Sequence, residues 1–165
     1  RAYRRKHPDL NPDFIFAFPA YNVRPTEIGA ILGRAQLRRL NSNNRIRVIN
    51  MNLFLDSLDP AIYQTEFERE GSSSYAFTLV LRKANRTFCQ KVMSLLSRHG
   101  VEFRRGTSGG GNQLRQPYLQ KLVGPNFAKR FPICEHVHFF GFYLGNYPTL
   151  KRRKIRTLCE MLNGL

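Results

Sequence analysis

Acidic residues are scarce in this chain. Eleven Asp and Glu stand against 27 Lys and Arg in 165 residues, a formal net charge of +16. A nucleic-acid surface, a site for a small anion or a solvated basic face each satisfies that imbalance. The basic residues are spread along the chain, and there is no zinc finger, RNP-type aromatic signature or basic zipper. Long apolar runs are missing too. No stretch is long enough to span a bilayer, and no signal peptide is visible. The chain opens at Arg1 without an initiator Met. Its basic start meets no apolar segment before Phe14, so we expect a piece of something longer upstream. Only three cysteines occur, Cys89, Cys134 and Cys159, with no CxxC pair and no zinc spacing. They predict buried free thiols in a reducing, cytoplasmic setting. The sequon at Asn85-Arg86-Thr87 carries little weight without a secretory signal. Internal repeats, low-complexity tracts, a Ser/His/Asp signature and paired carboxylates at catalytic spacing are all absent.

What is present fits one globular core, with 42% apolar residues. Residues 1–13 read as a loop punctuated by Pro8 and Pro12. Residues 14–18 form an apolar strand or extended segment packed in the core. A helix is predicted over 26–40, capped by Thr26, with Ile28, Ile31, Leu32, Ala35 and Leu40 near the helical period. Gly29, Ala30 and Gly33 leave one of its faces bare for close approach of another backbone. Residues 41–44 (NSNN) should interrupt it. A second helix then runs to about Leu58, with Ile46, Ile49, Leu53 and Leu55 inward, and Pro60 ends it. Strands are expected over 63–67, 74–81 and 101–104. A helix over 84–99 stops at Gly100. The final helix, 149–163, turns Leu150, Ile155, Leu158, Cys159 and Leu162 inward, and its basic run is a solvated face. Strand, helix and strand in short succession argue for an α/β (α+β) sandwich.

Three places suit ligand chemistry. Tyr21, Asn22 and Arg24 precede the positive start of the first helix, where an amide and a guanidinium suit a phosphate. Residues 107–117 hold three consecutive glycines followed by Asn112, Arg115 and Gln116. Such a loop lets backbone approach a ligand, although it matches neither a Walker loop nor GxGxxG. A short helix follows at 118–122. His136 and His138 would share a side if they lie on a strand. A third metal ligand is missing, so a half-buried His, or one facing an anion, is the better reading.

Taken together, three ordered stretches resemble the DegT/DnrJ/EryC1/StrS sugar aminotransferases. Residues 21–37 (YNVRPTEIGAILGRAQL) are similar to the family's Y-N-x-R-x-T-E segment and its A, G and Q-L positions. Residues 111–117 (GNQLRQP) and 141–146 (GFYLGN) resemble segments of the branch containing the 4-keto-6-deoxy-sugar 3-dehydratases. The resemblance implies the end of the large domain of a fold type I pyridoxal-phosphate (PLP) enzyme, residues 1–40. It implies the small C-terminal domain for residues 41–165, a small mixed or antiparallel sheet packed by helices. It gives Asn22 a contact with the cofactor, PLP or pyridoxamine phosphate, of the neighbouring subunit in a homodimer. It places Tyr21, Arg24, Asn112, Arg115, Gln116 and His138 at a nucleotide-sugar substrate, with Gly29, Ala30 and Gly33 at a tight dimer contact.

The same resemblance implies that the cofactor-bearing Lys, replaced by His in the dehydratases, lies upstream of these residues. A Lys there gives transamination at the sugar keto carbon; a His gives loss of the C3 hydroxyl. The residues present would supply binding and orientation only, and the resemblance gives none of them a catalytic role. The triple glycine and the many arginines depart from typical members. Two other readings stand beside this one: a basic nucleic-acid-binding module without catalysis, and a degenerate dimerisation unit of the same fold. Three ordered motifs outweigh diffuse charge, and so favour a nucleotide sugar over nucleic acid and exclude no activity.

Overall fold

A computed structural model of the chain describes residues 2–19, 26–105 and 111–165. Among the described residues, six α-helices and three strands run in the order α1 (Ala2–Lys6), α2 (Glu27–Ser57), β1 (Ala76–Val80), α3 (Arg86–Arg98), β2 (Phe103–Arg105), α4 (Pro117–Val123), α5 (Pro132–Phe140), β3 (Gly141–Gly145) and α6 (Arg152–Asn163). The strands make one sheet in the order β1-β3-β2. β2 pairs antiparallel with β3, Phe103 opposite Leu144 and Arg105 opposite Phe142. The Leu81 N–H donates to the Phe140 carbonyl and the Asn146 N–H to the Tyr75 carbonyl, so β1 also runs antiparallel to β3. The sheet is thus antiparallel and packed by helices, within a mixed α/β chain. No described helix is long and apolar enough to cross a membrane.

Several expectations are corrected. Residues 2–6 are helical rather than loop: Ala, Arg and Lys are good helix formers, and the turn ends before Pro8. Residues 41–44 do not interrupt α2, which is one helix of 31 residues. None of the four is Gly or Pro, and Asn and Ser each cost at most about 0.7 kcal/mol relative to Ala. Packing at Asn50, Phe54 and Leu55 carries the helix through them. Thr26 caps it as expected, its hydroxyl accepting from the Gly29 N–H at 3.1 Å. Ile49 stands exposed, while Phe54 is buried in its stead. Residues 63–67 give only a bridge from Tyr63 to Leu81, not a strand. Residues 14–18 are no strand, and Phe16 and Phe18 are exposed. Their backbone finds a glutamine side chain instead of a neighbouring strand. Cys89 and Cys159 are buried free thiols, but Cys134 is exposed. Burial pushes the Cys159 thiol up to about 12 and raises that of Cys89.

The chain divides into two compact units. The first comprises 1–20, 61–64 and 78–144; the second comprises 21–60, 65–77 and 145–165. In the first, Leu79, Leu81, Val92, Leu96 and Phe142 form the core. Phe103 meets the edge of the Phe142 ring at 5.8 Å. α3 is capped by Asn85, whose side chain accepts from the Phe88 N–H. In the second, α6 turns Ile155, Leu158, Cys159 and Leu162 inward. Phe54 stacks on Phe77 at 4.6 Å, and the Cys159 thiol donates to the Phe54 carbonyl. Asn146 is buried there, its amide donating to the Arg47 and Ser74 carbonyls at 2.9 Å each. It also accepts from the Asn50 amide. A buried amide satisfied on both sides ties Asn146 to α2 and to the backbone of Ser74 within this unit.

Candidate functional site

The polar residues singled out after the glycines come together in the first unit. Gly111 is the described member of the glycine run. Its φ is +84°, and a Cβ there would collide with the His138 ring. Both facts require glycine. Asn112 follows, its side-chain oxygen accepting from the Leu114 N–H at 3.0 Å and opening the single helical turn Gln113–Arg115. That turn delivers Arg115 and Gln116. Pro117 then starts α4.

His138 lies on α5, which Pro132 starts and Gly141 ends. The strand expected for the two histidines is therefore corrected. Two residues apart on a helix, they point to nearly opposite sides. His136 donates from Nε2 to the Leu81 carbonyl at 2.5 Å. His138 is 5% exposed. Its Nδ1 accepts from the Asn112 N–H at 3.1 Å, and its Nε2 donates to the Asp9 carbonyl at 2.8 Å. Those partners define a neutral imidazole protonated at Nε2. Burial lowers its pKa below the ordinary histidine value; the Asp9 hydrogen bond opposes that and nearby Arg115 adds to it.

Arg115 is the charged centre. Its Nε donates to both Glu135 oxygens, at 2.8 and 3.0 Å, and its Nη2 donates to the same carboxylate. Its Nη1 donates to the Asp9 carboxylate. The guanidinium carbon lies 4.7 Å from the centre of the Phe139 ring. The Asn112 amide donates to Glu135 at 2.7 Å. The Arg115 hydrogen bonds, backed by that of Asn112, hold the Glu135 carboxyl below its usual range against the opposing effect of burial. The Glu135 contact likewise raises the Arg115 pKa.

Gln116 is fully buried. Its amide donates to the Phe14 carbonyl and its oxygen accepts from the Phe16 N–H, both at 2.8 Å. One side chain thus pairs with residues 14–16 as a strand would. Asn112, Arg115, Gln116 and His138 are brought into one network, and all four hold either residues 9–16 or α5. Tyr21, Asn22 and Arg24 lie outside the described residues. Reading the sequence missed Asp9 and Glu135. Asp9 sits in a turn and Glu135 on a helix, far apart in the chain, and no spacing signals that they meet one arginine.

With that geometry in place, likeness to known proteins becomes informative. The sequence profile of the DegT/DnrJ/EryC1/StrS aminotransferase family matches residues 3–163, and the chain belongs to this family. The GDP-4-keto-6-deoxy-D-mannose 3-dehydratase of Yersinia pseudotuberculosis is 27% identical over 150 residues, 90% of this chain and 38% of that protein. The enzyme of the same description from Escherichia coli O55:H7 is also 27% identical over 150 residues. The solved E. coli GDP-4-keto-6-deoxy-D-mannose-3-dehydratase with bound hydrated PLP superposes with a TM-score of 0.72 at 26% identity, covering 91% of this chain and 38% of that one. The chain therefore spans well under half the length of these relatives.

Proposed function

We propose that this chain is the C-terminal portion of a PLP- or pyridoxamine-phosphate-dependent enzyme of deoxysugar biosynthesis. Its substrate is a nucleotide-activated 4-keto-6-deoxy sugar, and its reaction is either amino transfer or removal of the C3 hydroxyl. The observation that carries this reading is the likeness to a 3-dehydratase in sequence and structure together, over nine tenths of the chain. Residues 1–40 end the large domain and 41–165 form the small one. The longer protein works in the cytoplasm, where buried free thiols stay reduced.

Within this reading, Asn112, Arg115, Gln116 and His138 border the substrate, with Tyr21 and Arg24 at its phosphates. The described cluster itself does not fit a cofactor phosphate. It contains no lysine, and its one guanidinium is shared by Glu135 and Asp9, so a resident phosphate finds no unshared cation there. The contact with the cofactor is assigned to Asn22. The longer protein is a homodimer whose site is shared between subunits. Exposure of Ile28, Ile31, Leu32, Leu37 and Leu40 along the first half of α2 supports this, as does the open space around Gly33.

Asn22→Ala in the longer protein tests the assignment. Cofactor retention after gel filtration, read from the PLP absorbance band, should fall several-fold. Retention equal to the parent protein would remove Asn22 from the site.

A further inference from the structure

Glu135 grips Arg115 along the edge formed by Nε and Nη2, and Phe139 lies against the guanidinium. A planar guanidinium held by a bidentate carboxylate on one edge has its direction fixed. The remaining donor arm is Nη1, and there the Asp9 carboxylate sits. Asp9 is anchored twice, by independent atoms. Its main-chain carbonyl is held by His138 Nε2 at 2.8 Å, whereas its carboxylate meets only Arg115 among the described hydrogen bonds. The carboxylate can therefore swing away while the main chain stays pinned. The Asp9 side chain is also more exposed, at 29%, than those of Arg115 and Glu135 at 20% and 16%.

We propose that Glu135 is a positioning residue that aims the Nη1 arm of Arg115, and that Asp9 is a placeholder anion which a nucleoside diphosphate displaces from that arm. This rests on the reading that Arg115 borders a nucleotide sugar. The exchange is one of like for like: an anionic oxygen on a charge-assisted hydrogen bond leaves, and another takes its place. Asp9 then competes with the ligand, so removing its charge strengthens binding. Glu135 does the opposite, because without it the guanidinium is free to turn.

The test is calorimetric titration of GDP into the longer protein and its Asp9→Asn and Glu135→Gln variants. Asp9→Asn should tighten GDP binding about tenfold, and Glu135→Gln should weaken it about tenfold, the scale of one hydrogen bond to a charged group. The opposite signs set this apart from a purely structural role, which would weaken binding in both. GDP binding no tighter in Asp9→Asn than in the parent overturns the placeholder, whatever becomes of Glu135→Gln. Unchanged affinity in a folded Glu135→Gln protein overturns the positioning role. Absence of GDP binding by the parent protein as well overturns the nucleotide-sugar reading beneath both.

Discussion

At the scale of the residue, the chain commits its few acids carefully. Two of its eleven acidic side chains meet on one guanidinium. His138 shows the same economy, one ring nitrogen donating and the other accepting. Protonating Nδ1 would turn the acceptor of the Asn112 N–H into a second donor facing it. The sign of the pH effect follows. A histidine whose folded pKa lies below its unfolded value contributes stability that is fully present above about pH 6.5. That contribution is lost as pH falls through the lower, folded value. Urea midpoints of the parent and of His138→Asn, measured from pH 8 down to 5, should therefore converge as acid is added. A gap that stays constant across that range would show that His138 does not titrate with folding. Gly111 belongs to this scale too, since positive φ and contact with the His138 ring reserve the position for glycine.

Elements show where the sequence was legible and where it was not. α3 and α6 were readable because each buries a stripe at helical spacing, Cys89, Val92, Leu95 and Leu96 on one and Ile155, Leu158, Cys159 and Leu162 on the other. α2 was misread at 41–44 because local propensity there is weak, and packing from residue 50 onward overrides it. α5 was misread because two histidines separated by one residue look like a strand, while Pro132 and Gly141 bound a short helix. The site was half legible. Asn112, Arg115, Gln116 and His138 stood out as polar residues near glycines, but their partners Asp9, Glu135 and the backbone of residues 14–16 come from long-range contacts that no local pattern encodes. The continuity of α2 is itself testable. Asn43→Pro should cost about 3 kcal/mol or more, because it removes a helical hydrogen bond and clashes with the preceding turn. Chemical denaturation measures this, and a loss below about 1 kcal/mol would mean that the helix is already broken there.

For the molecule as a whole, the family likeness runs over residues 3–163, while the organised polar cluster belongs to the first unit. On the proposed reading, substrate and cofactor are both anionic, which a net charge of +16 suits. The proposed reaction acts on a nucleotide-linked keto sugar. The measurement that reaches it most directly is mass spectrometry of GDP-4-keto-6-deoxy-D-mannose incubated with the longer protein, PLP and glutamate. The expected product has lost the C3 hydroxyl, or has gained an amino group in place of the keto oxygen. Substrate recovered unchanged, from a folded protein that retains its cofactor, would contradict it.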